Sequence, residues 1–440
     1  MERMTAVLSQ PEEELVLQHE IVEVRQSTKQ RIISGIALVI TGLVMFFGWG
    51  LGANNGEAAF QISQFTDRWH VADLRYPGGG AAMVMAVIVL GLGGYQLVRG
   101  FRRRQMRWVL LATVLLFILG FLSWAATGNP DLPISLTALV QQSVTAAIPY
   151  ILGALAGIIC ERSGVINVAI EGQMLFGAFA GALFASVASS AGMGIVAAVV
   201  AGGLVGLLLA VFAIRYLVNQ VVLGVVLNAL VLGLTNLGFQ SFMNTDSASY
   251  NSGLTLNPIK IPLLGDIPII GQALFNVNII VYATYALVVV VDVALFRTTW
   301  GLRTRAIGEH PRAADTVGIK VLAMRYRNVV IGGLVAGLAG AVLTVGGSGP
   351  FNSNISSGKG FIALACVIFG RWSPRGAIAA ALLFGFTDQL QTTLSIVGTP
   401  VTIPSAFLGM APYLATIIAV AGFVGRVQAP AADGEPYVKG

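Results

Sequence analysis

FRTTWGLRTRAIGEHPRAADTVGIKVLAMRYR, residues Phe296 to Arg327, is a polar island set between two apolar runs. It carries Arg297, Arg303, Arg305, Arg312, Lys320, Arg325 and Arg327. Such a cluster beside apolar segments is expected on the cytoplasmic side of a membrane. A short helix is predicted inside it: Pro311 suits a first helical position, Arg312 to Val317 run without a breaker, and Gly318 can take the left-handed stop. Ala313, Ala314, Val317, Ile319 and Val321 would give the segment an apolar face. Two readings follow, the solvated basic loop that any polytopic protein carries and a capped knob that docks onto a partner.

The flanks of the island decide the fold class. With 56% hydrophobic and 10% charged residues among 440, the chain falls outside ordinary soluble composition. Its apolar runs of about 20 residues match the hydrocarbon core of a bilayer. The 53 glycines suit close helix packing, and the alternation of a membrane barrel is absent. The expected fold is all-α, a polytopic transmembrane helical bundle of about twelve spans with broken or re-entrant segments. The net charge of +6 lies in short loops beside apolar segments, where it orients spans and implies no nucleic-acid partner. Cys160 and Cys366 sit in apolar runs, and His19, His70 and His310 are scattered, so neither a disulfide framework, a metal site nor a triad is expected.

Four segments are expected along the chain. Residues 1–31 form a cytoplasmic tail, either disordered or a surface helix lined by Leu15, Leu17, Ile21, Val22 and Val24. Residues 32–133 form an extension with three spans, oriented by the arginine-rich turn Arg99 to Arg107. After Gly128 to Pro133 the texture changes to Ala, Gly, Val and Leu runs, and 134–426 are expected to form the main membrane domain, with 427–440 a short cytoplasmic tail. Within that domain Gly346 to Gly360 is irregular and the apolar run Phe361 to Phe369 is too short to cross a membrane. A twelfth span falls near Pro404 to Val424, which leaves both termini cytoplasmic.

Polar residues inside apolar segments are costly and face a cavity or a helix partner. Asn167 and Glu171 lie four apart, as if on one helix face, with Gln173 nearby. The group reads either as a broken helix lining a solute path or as a hairpin stapled by Arg162 and Glu171. Asn228 and Thr235 lie seven apart on one face, with Asn236 adjoining, where amides bond a polar solute or glue helices. A third place combines Gly346 to Lys359, including Asn352, with Asp388 and Gln391, because glycine-interrupted short segments point to transport sites. The chain has no G-x-x-x-x-G-K-[ST], H-E-x-x-H or G-x-S-x-G, so no ATPase, protease or hydrolase of its own is expected and no enzyme activity is assigned.

ERSGVINVAIEGQMLFGAFAG, GLRTRAIGEHPRAADTVGIKVLAMRY and FIALACVIFGRWSPRGAIAAALLFGF resemble the hallmark stretches of permease subunits of bacterial nucleoside ABC importers, within the branched-chain amino acid and ribose permease group. The resemblance covers Leu136 to Arg426 and leaves the first three spans outside it. It implies a cell-membrane permease that binds no cofactor itself. ATP belongs to a separate ATPase subunit, the path is shared with a second, related permease in a heterodimer, and a substrate-binding lipoprotein delivers the nucleoside. By the same resemblance residues 297–327 are the coupling loop, with Gly301, Arg303, Arg305, Pro311, Arg312, Ala313, Ala314, Asp315 and Gly318 meeting the ATPase. Ribose-like sugars, branched-chain amino acids and an ion-coupled secondary transporter with Glu171 and Asp388 as coupling carboxylates are the alternatives.

Overall fold

The computed structural model describes residues 27–52, 56–63, 70–128, 131–401, 403–404, 407, 409–410 and 428–439. The surface helix considered within residues 1–31 and most of the twelfth span lie outside these. The chain divides into two compact units, one of residues up to Phe60 with Asp73–Ile134 and Val397–Thr402, the other of Gln61–Ala72, Ser135–Ile396 and the residues from Ile403.

In the first unit, α1 (Thr28–Val44) starts where the Ser27 hydroxyl accepts from the Gln30 N–H, and it ends in a π-helical turn, Met45–Gly50. The antiparallel strands β1 (Glu57–Gln61) and β2 (Leu74–Pro77) follow. Then come α2 (Gly78–Val98), α3 (Arg103–Ala125) and the two-residue β3 (Ile134–Ser135). The arginine-rich turn between α2 and α3 is held from within: buried Gln96 donates to Ser34 Oγ at 2.8 Å and accepts from the Phe101 N–H at 2.7 Å. One amide thereby satisfies a helix end that the bilayer would otherwise leave bare.

The second unit contains α4 (Leu136–Glu161), α5 (Ile170–Val187), α6 (Ala191–Ala210) and α7 (Gln220–Gly238). Beyond them lie the short α8 (Ser247–Tyr250), β4 (Ile259–Lys260), α9 (Ile270–Phe275) and β5 (Asn276–Val277). The series closes with α10 (Ile279–Arg297), α11 (Thr299–Glu309), α12 (Pro311–Thr316), α13 (Val321–Leu343), α14 (Lys359–Phe369) and α15 (Pro374–Val397). Side-chain caps set several starts, Ser135 for α4, Ser190 for α6, Asn219 for α7, Asn278 for α10 and Thr298 for α11. Among the described residues nine helices, α1 to α7, α10 and α13, are long and apolar enough to span a membrane. α14 has 11 residues, the short run foreseen, and α15, which carries Asp388, Gln389 and Gln391, is not among the nine.

α4 is the axis of this unit, buried along most of its length although its composition would suit a lipid-facing span. Around it α5, α6 and α13 meet through glycines rather than side chains. A Cβ added to Gly177 of α5 would lie 2.6 Å from the Gly337 carbonyl oxygen, and one on Gly194 of α6 would lie 2.6 Å from the Gly181 carbonyl oxygen. Backbones at this separation gain dispersion contact over their whole facing length, which is what drives association where lipid removes the hydrophobic incentive.

Candidate functional site

The chain breaks between α4 and α5, and again ahead of α14. At the first break α5 starts only at Ile170, so Asn167 lies in the preceding turn and not on a helix face with Glu171. Asn167 is fully buried; its Nδ2 donates to Gln173 Oε1 at 3.0 Å, while Asn167 Oδ1 and Gln173 Nε2 have no hydrogen-bond partner. Asn228 of α7 staples the break shut, accepting from the Gly172 N–H at 2.8 Å and donating to the Val168 carbonyl at 2.9 Å. This is the glue role of a membrane amide.

Glu171 closes the second break. Its Oε1 accepts from Ser356 Oγ at 2.6 Å and from the Gly358 N–H at 2.8 Å, and its Oε2 accepts from the Gly360 N–H at 2.6 Å. The carboxylate therefore sits on the positive end of the half-length helix α14, where a negative charge is stabilised by the free N–H groups and the helix dipole. The hairpin staple considered from the sequence is absent: Arg162 instead donates to the Trp372 carbonyl at 3.0 Å and to the Arg371 carbonyl at 3.4 Å. A Cβ on Gly360 would fall 2.5 Å from Glu171 Cα, so only glycine lets α5 and α14 approach this closely.

The remaining candidates disperse. Thr235 is buried and donates back to the Val231 carbonyl of its own helix at 2.8 Å. Asn236 accepts from Ser353 Oγ at 2.6 Å, which fastens the segment before α14 to α7. Asn352 is exposed. Asp388 accepts from the Tyr150 hydroxyl of α4 at 3.4 Å, whereas the segment Gly346 to Lys359 bonds to α5 and α7.

The polar island folds as two helices, α11 and α12. Thr298 caps α11, and Gly301 is wedged so tightly that a Cβ would lie 2.2 Å from the Ala294 carbonyl oxygen. Arg303 is exposed and the Arg305 guanidinium lies over the Phe296 ring at 5.3 Å. Pro311 is the first residue of α12 as foreseen, and Gly318 stops it with φ +84°. The Ile319 N–H bonds the Ala314 carbonyl and the Gly318 N–H the Asp315 carbonyl, a Schellman stop. The foreseen apolar face divides in two. Ala314, Ile319 and Val321 turn inward to pack with Ile307, whereas Arg312, Ala313 and Val317 remain exposed beside the half-buried Asp315.

Several polar residues below this platform have no motif to announce them. Trp372 Nε1 donates to Glu161 Oε2 at 2.5 Å, Asn328 Nδ2 to Thr304 Oγ1 at 3.2 Å, and the buried Arg325 Nε to the Ser163 carbonyl at 3.0 Å. Arg325, expected as one more cation of the basic island, lies instead on α13 and is buried. Asp433, from the segment expected as a short cytoplasmic tail, joins the group: Glu161 and Cys160 of α4 and Arg325 of α13 face it. Burial pushes the Asp433 carboxyl up to about 7, against the opposing pull of Arg325. The docked segment thus holds a proton that the free segment lacks between the ordinary carboxylate range and about pH 7. Docking is favoured at low pH and weakens as pH rises towards that value. Carboxypeptidase trimming of the C-terminal segment, corrected with a free peptide of the same sequence, is expected to be several-fold slower at about pH 6 than at about pH 8.

The family described as the permease component of branched-chain amino acid transport systems matches residues 139–424. The guanosine ABC transporter permease protein NupQ of Bacillus subtilis is 41% identical over 69% of this chain and 98% of its own length. The nucleoside ABC transporter permease protein NupC of Lactococcus lactis is 36% identical over 69% of this chain and 98% of its own. A second guanosine ABC transporter permease protein of B. subtilis, NupP, is 25% identical over 56% of this chain and 71% of its own. No solved structure matches the chain.

Proposed function

The chain belongs to the permease-component family of branched-chain amino acid transport systems, and from that premise we propose that it is the membrane subunit of an ATP-driven importer of nucleosides. It is a multi-pass membrane protein. The observation that carries the choice of solute is Glu171 on the N-terminus of α14. A half-helix end of this kind could receive the carboxylate of an amino acid. Here the chain's own carboxylate occupies it, and the unpaired polar atoms nearby, Asn167 Oδ1 and Gln173 Nε2, are neutral. Both amides are fully buried and serve the packing of the break, so the solute class is carried by the self-filled helix end and by relatives named for guanosine and nucleosides.

On this reading ATP is bound by a separate subunit, which the lack of a P-loop in this sequence supports. In this reading the exposed Arg312, Ala313 and Val317 of the α12 turn meet that ATPase on the cytoplasmic side, where both termini also lie. A related permease completes the path, as the paired names NupP and NupQ suggest, and a binding lipoprotein supplies the solute. The ion-coupled alternative loses Glu171, whose two oxygens are both engaged, and would rest on Asp388, which accepts from Tyr150 at 3.4 Å; the ATP requirement tested below separates it from the import reading.

Vesicles containing the complete complex are expected to accumulate labelled guanosine only with ATP on the cytoplasmic side, with competition from other nucleosides and none from leucine. Accumulation by this chain alone without ATP would overturn the reading, and competition by leucine would overturn the solute class.

A further inference from the structure

α12 is six residues long and buries only Ala314 of its own. Helices shorter than about 12 residues are marginal without tertiary support, and a helix that receives a push must be braced to pass it on. The brace comes largely from the far end of the chain. Tyr437, 6% exposed, is the largest side chain in the cluster with Ile307 of α11, Ala314 of α12 and Val321 of α13. Its ring thereby ties α12 to the helices on either side of it.

The residues before Tyr437 reach every neighbour of that helix. The Ala432 N–H donates to the Gly308 carbonyl at 2.9 Å and the Ala431 N–H to Glu309 Oε2 at 3.2 Å, both at the end of α11. Arg325 Nη1 of α13 donates to the Glu435 carbonyl at 2.8 Å. At the α4–α5 turn the fit is tight, since a Cβ on Gly164 would lie 2.9 Å from the Ala432 carbonyl oxygen and one on Gly434 would lie 2.7 Å from Ile166 Cδ1. Both glycines have positive φ, +84° and +80°, so conformation and space agree in demanding them.

We propose that residues 428–439 are a positioning strap, which clamps α12 to α11, α13 and the end of α4 and thereby conveys displacement of α12 into the buried axis of the bundle. The proposal rests on the import reading given above. Tyr437 and Asp433 touch no solute and act through α12 and Arg325. A strap of this kind makes the difference between a helix that rolls on the surface when pushed and one that moves α4 and α13 with it.

The test uses the complete complex in vesicles, with guanosine uptake and ATP hydrolysis measured together. Tyr437→Ala is expected to lower uptake per ATP about tenfold, the scale of a coupling free energy between sites, with the KM for guanosine unchanged. Tyr437→Phe keeps the packing and is expected to restore most of the loss. Wild-type uptake per ATP in Tyr437→Ala overturns the strap. A second arm needs no variant: the amides of Ala431 and Ala432 in the wild-type complex should change hydrogen-exchange protection between nucleotide-free and ATP-bound states, and unchanged protection overturns the proposal. ATP-independent uptake by the wild-type chain would sink the import reading itself, whereas ATP-dependent uptake with an unaffected Tyr437→Ala variant sinks the strap alone.

Discussion

Glu171→Ala is expected to destabilise the protein by about 3 kcal/mol or more, because each buried donor left without an acceptor costs about 1–3 kcal/mol. The donors affected are the Ser356 hydroxyl and the Gly358 and Gly360 N–H groups. Ser356 and Gly360 are buried, so their donors lose their acceptor in surroundings shielded from bulk solvent. Glu171→Gln should lose a smaller amount, since one amide oxygen still accepts while the NH₂ meets a backbone donor. Thermal unfolding in detergent checks both. A coupling carboxylate would behave differently, with Glu171→Gln melting as the wild type but failing to accumulate solute. Wild-type melting of Glu171→Ala would show that the α14 cap is not what holds the break together.

The second large effect lies in the glycine seam. Gly337→Ala adds a Cβ that would sit 2.2 Å from the Ala198 carbonyl oxygen and 3.0 Å from Gly202 Cα, both of α6. Overpacking of side chains typically costs about 1–3 kcal/mol, and the obstacle here is backbone, which cannot rotate away. The two helices must part along their length, so a loss at or above the upper end of that range is expected, with a lowered yield of folded protein. Gly233→Ala is the control. A Cβ there meets nothing within 4 Å, and Ala favours a helix interior over Gly by about 1 kcal/mol, so this substitution should be neutral or stabilising. Equal melting of the two variants would mean that the seam is looser than its backbone distances require.

The pattern of apolar runs and caps is local information, and it was legible. Runs of spanning length between Arg-rich turns foretold the helices, Pro311 and Gly318 foretold where α12 begins and ends, and the shortness of the run to Phe369 foretold that α14 does not cross. Spacing misled where a helix was assumed to continue. The four-position spacing of Asn167 and Glu171 suggests a shared helix face, but the chain turns until Ala169 and the helix starts after it. Arg325 was read as one more cation of the basic island, since sequence reports that a charge exists and not whether its neighbours bury it.

Length, hydropathy and turn chemistry thus determined that this chain is a helical membrane bundle and where most of its helices begin, because those properties depend on residues a few positions apart. Which polar groups become partners was settled only when distant segments met: Glu171 with Ser356, Gly358 and Gly360, Trp372 with Glu161, and Tyr437 beneath α12. The bilayer gives the reason. A buried polar group must find a partner wherever the packed helices happen to present one, and that place is fixed by glycine-to-backbone approach in three dimensions rather than by spacing along the chain.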